Sequence, residues 1–342
     1  KPENAGDQQA ADECEKWLND IMDRTRFNSK LIRAGRDCFI GKRVAIKLTG
    51  GRDAEINITF HPSLEFVFDV DAADAGKITK IIFFYQVTSD ETDRAKQRIW
   101  RQKFEMKGKR CILNEALYDG YGALVEQYHA DADTGLNFIP AYVIINSGLT
   151  GDVSGESDAR ELIDNQDAYN RLKSDNADAM KFNMFPMRVF VDASQDSMEG
   201  LTIAPNAAID LSTDPASEGG RADAKMMESS FQYGEQLENT LNRIKSDMHD
   251  IVGVPEVTPE QLKGTAMSGK AMKALYWNLI CRCEEKWSEW DDALKWMAER
   301  LMEMGRVYGQ GELPEFEHAV QIEHLYPIAD DEEDERINDM AE

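Results

Sequence analysis

Asp250-Ile251-Val252-Gly253-Val254-Pro255, the polar segment Glu256 to Lys263, and Gly264-Thr265-Ala266-Met267-Ser268-Gly269-Lys270-Ala271 form the stretch that decides the fold. It reads as a joint between two long helices. Upstream, Leu237, Leu241, Ile244, Met248 and Ile251 recur at a 4-3-4-3 spacing, the apolar stripe of an amphipathic helix. The pattern predicts a helix over Arg221 to Val252, about 48 Å long unless Gly234 bends it. Gly253-Val254-Pro255 ends that helix, because proline supplies no N–H to continue the ladder. Val254 to Ala266, with Pro255, Pro259 and Gly264, is the joint itself. Downstream, a helix starting near Ser268 carries Cys283, Trp287, Trp290, Leu294, Met297, Leu301 and Met304, with Gly305 as its expected end. This heptad-like repeat fits a coiled coil or a core helix. Tryptophan is bulky for a dimer seam, which favours a helix packed on its own domain.

Working outward from the joint, Asp12 to Gly35 has helical spacing through Trp17, Leu18, Ile21, Met22, Leu31 and Ile32. After Gly41 the pattern becomes alternating. Strands are predicted at 44–48, 55–60, 64–70, 78–87, 98–104, 124–129 and 138–145, separated by turn residues. Residues 1–150 therefore read as an α+β unit of mainly antiparallel strands. A Gly/Ser/Asp linker follows, and Ser157 is placed to cap a helix over 158–184 that Phe185-Pro186 stops. Residues 186–220 break into short strands, among them 187–191, 200–203 and 208–211. A last strand is predicted at 318–324, before the acidic run 330–335.

Composition narrows the chemistry. The chain has 342 residues with 39 basic and 64 acidic side chains, a net charge of −25. General attraction for nucleic acid needs the opposite sign. The ordinary meaning of such acidity is solubility, and a second is that surfaces near a polyanion are built to repel it. No run of 18 apolar residues is present, which excludes a membrane-spanning helix, and Lys1 to Gln9 shows no signal-peptide core. Five cysteines at 14, 38, 111, 281 and 283 fit neither a disulfide framework nor a zinc site, which suits a reducing cytoplasm. The five histidines are scattered, so no metal or cofactor is expected. Gly264 to Ala271 resembles a phosphate-binding loop until Ala271, where a magnesium-ligating Ser or Thr should stand, and a polar segment precedes it in place of a buried strand. It reads more simply as a helix start. The basic cluster Arg94, Lys96, Arg98, Arg101, Lys103, Lys107, Lys109 and Arg110 reads as the solvated face of a strand hairpin. No catalytic arrangement stands out, and the chain is expected to be non-enzymatic.

Several segments resemble the portal proteins of tailed bacteriophages, the head-to-tail connectors. They are Asp250 to Pro255; Met267-Ser268-Gly269-Lys270-Ala271-Met272-Lys273; the strand Phe138 to Asn146; and Gly155 to Asp158 with Leu162 to Arg171. Their order also matches over most of residues 15–335. The resemblance implies a portal-like α+β fold: a wing from 1–150 and 267–325, stem helices 151–185 and 221–253, a clip 186–220, and a channel loop 254–266. Residues 326–342 would lead toward a crown or a short tail. It implies a homo-oligomeric ring, usually of twelve subunits, passing double-stranded DNA without sequence preference at one vertex of the virion, and assembled in the host cytoplasm. Its partners would be the terminase large subunit, head-completion or adaptor proteins, and major capsid and scaffold proteins, with no membrane. The DNA-channel loop residues would be Val254, Glu256, Val257, Thr258, Glu260, Gln261 and Lys263. Glu228, Glu235, Glu238, Asp247 and Asp250 are the candidates for an acidic channel wall, against Lys225, Arg243 and Lys245. Two alternatives remain at this point: another phage head component without a pore, or a nucleotide-dependent enzyme using Gly264 to Ala271.

Overall fold

The computed structural model describes residues 5–88, 90–149, 151–184, 187–195, 212–213, 220–227, 234–256, 269–311, 313, 320–324 and 326. They belong to two compact units, Lys1–Glu161 with Val252–Glu342, and Leu162–Ile251.

The first unit opens with two helices, α1 (Ala5–Arg24) and α2 (Phe27–Gly41). The sequence pattern ran through as one helix, but Arg26 takes a left-handed conformation (φ 53°) and breaks it. Eight strands follow: β1 (Arg43–Thr49), β2 (Asn57–Pro62), β3 (Phe66–Val70), β4 (Ile78–Gln86), β5 (Ile99–Lys107), β6 (Arg110–Tyr118), β7 (Leu124–Asp133) and β8 (Ala141–Ile145). They form a three-stranded sheet, β2-β1-β8, and a five-stranded sheet, β3-β4-β5-β6-β7, with every pairing antiparallel. The α+β reading holds at this level.

In the second unit, α3 (Arg160–Met184) leads to a two-stranded sheet of β9 (Met187–Val191) and β10 (Asp223–Met227), and then to α4 (Gly234–Val252). This corrects the helix expected over 221–252. Asp223 to Met227 pairs with β9 as an antiparallel strand and is not helical, and the helix is described over Gly234–Val252. At 19 residues, α4 is about 28 Å long, not 48 Å. The expected strands 200–203 and 208–211 lie outside the described residues.

The chain re-enters the first unit and forms α5 (Gly269–Leu275) and α6 (Trp277–Tyr308), interrupted at Tyr276. Gly305 does not close α6. It is buried in the last turns, where an added Cβ would stand 2.7 Å from the Trp17 ring. Glycine there lets α1 approach α6, and the helix ends at Gly309 in the left-handed conformation. Trp17 Nε1 then donates to Gln310 O (2.8 Å), and Gln310 Nε2 donates to the carbonyls of Gly51 and Ala54. The described residues 320–324 form no strand, correcting the strand expected at 318–324. They are held by side chains instead: His324 stacks on Trp287 (4.3 Å between centroids) and its Nε2 lies 3.0 Å from Asp291 Oδ2.

The core joins these layers. Val44, Ile46 and Leu48 of β1, Ile58 of β2, Phe83 of β4, Ile144 of β8 and Met297, Leu301 and Met304 of α6 are fully or almost fully buried in one cluster. Each such side chain contributes about 1.5–3 kcal/mol by leaving water. Trp290, Met297, Leu301 and Met304 are buried members of the heptad-like repeat, so α6 is a core helix of its own unit.

Lys47 interrupts the apolar run of β1. Its ammonium lies 4.9 Å from the Phe83 ring centre and 4.6 Å from that of Trp100, and it donates to Gln102 Oε1 (3.3 Å). Burial pushes its pKa down to about 8, partly offset by Glu115 and Glu65. Burial, helped by Lys47, also pushes neighbouring His61 down to about 3. The 3.0 Å contact of His61 with Glu65 is therefore a neutral-ring hydrogen bond and not an ion pair. The unfolded chain holds its Lys47 proton up to the ordinary 10.5, and the folded chain only to about 8. Between those values the unfolded state binds more protons, so this residue makes stability rise with pH. Urea midpoints from pH 7.5 to 10 should accordingly climb more steeply for the parent than for Lys47→Met. Parallel curves would refute the buried-charge account.

Candidate functional site

The sequence placed function on the helical excursion and its joint, and the structure shows how the segment leading into α3 is fixed. α3 begins two residues after Asp158, and the approach to it is fixed by close backbone packing. Gly155 has φ 69°, and a Cβ there would stand 2.7 Å from Lys42 O and 2.9 Å from Asn146 O, so only glycine fits. Ser157 Oγ accepts from Ala159 N at 3.3 Å, in the turn just before α3, so it braces the approach to the helix and does not cap its first turn.

Asn146, at the end of β8, is 3 % exposed and fully used. Its Nδ2 donates to Glu156 O (2.8 Å) and Asp158 Oδ1 (2.9 Å), its N donates to Lys42 O, and its O accepts from Glu156 N. Its Oδ1 accepts from Lys286 Nζ at 2.6 Å. Lys286, on α6, also donates to Ser147 Oγ (2.8 Å) and Asp158 Oδ1 (2.9 Å), so all three ammonium protons have acceptors. Arg282 lies 3.5 Å from Asp158 Oδ2. Burial alone would raise the Asp158 pKa. Hydrogen bonds from Lys286 and Asn146, with the charges of Lys286 and Arg282, outweigh it and hold the carboxyl below its ordinary value. This polar node ties three separate segments, the end of β8, the entry to α3 and the first half of α6. Sequence reasoning quoted Asn146 and Asp158 in its motifs but missed Lys286. Lys286 stands beside the apolar repeat, three residues after Cys283 and four before Trp290, and so on the face the helix buries; that placement was the signal available.

On α4, Glu235, Glu238, Asp247 and Asp250 are all exposed, and no described residue of the helix is fully buried. At about 100° per residue, the stripe Leu237–Ile251 covers about 80° of the helix, and the four carboxylates lie outside it. Arg243 and Lys245 share that polar side, which leaves α4 with four acids against two bases. Lys225, counted earlier on this helix, is on β10, with its ammonium 3.2 Å from Asp223. Glu228 lies outside the described residues. Of the joint, Val254 and Glu256 are described and exposed. Val257, Thr258, Glu260, Gln261 and Lys263 lie outside the described residues, as do Gly264 to Ser268 of the phosphate-loop-like string. Gly269 to Ala271 starts α5, the helix start expected of it.

The basic cluster lies along β5, β6 and the turn before them, and part of it is neutralised locally. Lys103 pairs with Glu105 (2.8 Å), Arg110 with Asp133 (2.6 Å) and Lys107 with Asp131 (3.4 Å). Among the described residues, no group of three or more His, Cys, Asp or Glu side chains could hold a metal ion. None of the described helices is long and apolar enough to cross a membrane.

The chain is a mixed helix-and-sheet protein, with α3, the β9–β10 pair and α4 inserted in sequence between β8 and α5. The chain belongs to the phage portal proteins: the family described as phage portal protein, SPP1 Gp6-like, matches residues 1–335, nearly its whole length. No curated protein matches it. The family's role is structural, as the head–tail connector of a bacteriophage in DNA packaging, and implies a ring at the capsid vertex.

Proposed function

We propose that this chain forms the channel through which double-stranded DNA enters and leaves the capsid, with α4 facing the DNA. The observation that carries this is the placement of the α4 acids. Glu235 and Glu238 suit the positive N-terminal end of the helix, but Asp247 and Asp250 stand in its last turns, where the helix dipole disfavours them. Helix stability does not account for them, whereas a wall that must not grip a polyanion does. The apolar stripe of α4, left half-exposed in the single chain, faces neighbouring copies in this reading.

The remaining parts follow the family plan. Residues 1–150 and 267–325 form the wing, α3 and α4 the stem, and the β9–β10 region, extended to Met227, the clip. The clip is where the terminase large subunit and later the head-completion proteins dock. Residues 254–266 form the loop nearest the DNA, with Lys263 able to touch a phosphate. The wing meets major capsid and scaffold proteins, and twelve copies close the ring. No catalytic step is assigned to the chain; the terminase supplies the work. Negative-stain microscopy of the purified chain tests this directly. Rings with a central pore, of about twelve subunits, are expected. A chain that stays monomeric at all concentrations and salts, or that hydrolyses ATP alone in a Lys270-dependent way, would sink the reading.

A further inference from the structure

After α6 ends at Gly309, the chain doubles back along that helix. Leu313 lies against Gly305, where an added Cβ would stand 2.9 Å from its Cδ1. Val320 and Ile322 line a cavity of about 500 Å³ with Leu18 and Met22 of α1 and Ala298 and Met302 of α6. His324 reaches Asp291 and the Trp287 ring, and the Tyr326 hydroxyl donates to Glu284 Oε1 at 2.6 Å. The contacts therefore run toward the start of α6 as the chain advances. Six residues of extended chain reach about 20 Å, and α6 from Ala298 to Glu284 is about 21 Å long. Burial alternates along the segment: Val320, Ile322 and His324 are half-buried, whereas Gln321 and Glu323 are exposed. That is the pattern of an extended chain with one face turned inward. Yet among the described residues, Val320 to His324 make no backbone–backbone hydrogen bond.

We infer that Val320–His324 and Tyr326 form a strap, latched to α6 by the side chains of His324 and Tyr326, that lifts while the helices and sheets beneath it stay folded. Three features weaken the seated state. The strap belongs to no sheet, so lifting it breaks no hydrogen-bonded ladder. The cavity under Val320 and Ile322 leaves their apolar contact incomplete. Asp291 Oδ1 is buried without a partner among the described residues, and lifting the strap gives that oxygen to water. Against these stand the stack of His324 on Trp287 and the two bonds to the carboxylates of Asp291 and Glu284, which are stronger than neutral hydrogen bonds. Few buried contacts and no backbone pairing are the marks of a segment that opens locally. Tension on the chain beyond Tyr326 acts on the Glu284 bond first and the Asp291 bond second, so the strap peels from Tyr326 toward Val320. Lifting bares the Trp287 ring and the apolar seam between α1 and α6. The strap thus couples the chain that follows it to the exposure of that surface, whether or not the protein forms rings.

Thiol labelling of the full chain tests this, with the exposed Cys281 removed (Cys281→Ser) and each labelled site located by mass spectrometry. Ile322→Cys places a thiol on the inward side of the strap and Glu323→Cys one on the outward side. Cys38, fully buried in the core, reports opening of the whole unit. The thiol at 322 should react with a maleimide at least tenfold more slowly than the one at 323, and far faster than Cys38. Tyr326→Phe, which removes only the hydroxyl, and His324→Ala should each speed labelling at 322 by on the order of tenfold, with Cys38 unchanged. Val320→Cys, on the same inward side, should follow Ile322→Cys. A thiol at 322 that reacts in step with Cys38 would mean that the strap opens only when the unit unfolds. One that matches the thiol at 323 would mean that it is not seated. Either result, or a rate at 322 that neither latch variant changes, overturns the inference.

Discussion

Lys286→Met is expected to destabilise the first unit by about 3 kcal/mol or more, the cost of leaving a partly buried carboxylate without its cation. The reasoning starts from the acceptors. Asp158 and Asn146 each aim an oxygen at the ammonium, and Ser147 supplies the third. Methionine keeps the length of the side chain and its packing near Phe39, but it donates nothing. Asp158 then retains Asn146 and the longer contact with Arg282 alone. Asp158→Asn should cost less, because it removes the charge that needs pairing, and the double variant should be less destabilised than the sum of the two single ones. Acidification should act in the same direction. The Asp158 carboxyl is held below its ordinary range in the folded chain, so its stabilising contribution is complete above that range and is lost as pH falls through the lower folded value. The thermal midpoint measures all of this. A Lys286→Met chain that melts within about a degree of the parent would show that the node positions nothing.

The node also marks where sequence reasoning stopped. Periodicity reads single elements, and it recovered β1, β4, β8 and the apolar repeat of α6, while α3 was bounded by its flanking residues, Ser157 before it and Phe185-Pro186 after it. Tertiary contacts decided the rest. Ala222-Asp223-Ala224-Lys225-Met226-Met227 is composed of good helix formers and was read as helix, yet pairing with β9 makes part of it a strand. β6 was missed because Asn114 and Glu115 interrupt its apolar alternation. Glu115 is there to accept from Trp100 Nε1 across the sheet (2.8 Å), a partner far away in the chain's local pattern. Gly305 looked like a stop signal because glycine ends helices, while its actual reason is the Trp17 ring on another helix. The acids of α4 were legible as charges. Their spread around the stripe became meaningful only once α4 was separated from the strand Asp223 to Met227.

Replacing Glu235, Glu238, Asp247 and Asp250 together by lysine should cut DNA packaging at least tenfold while rings still assemble. The change converts the α4 balance from four acids and two bases to six bases, and a ring repeats it in every copy. All four side chains are exposed, so their reversal costs little folding energy beyond the helix-end terms at Glu235 and Glu238. The effect should fall on the DNA. A wall of lysines condenses phosphate and releases counterions, so purified variant rings should retain DNA at low salt and release it steeply as salt rises. Neutral Gln and Asn replacements should lie between parent and lysine variant, since they remove repulsion without adding attraction. Reversing four exposed acids on α3, such as Asp164, Asp167, Asp175 and Asp178, provides the comparison, because it alters net charge equally without touching α4. If α3 and α4 reversals impair packaging alike, the effect belongs to net charge and the channel-facing role of α4 fails. If only the α4 set traps DNA, the dipole-opposed Asp247 and Asp250 have their explanation: they keep the cargo moving.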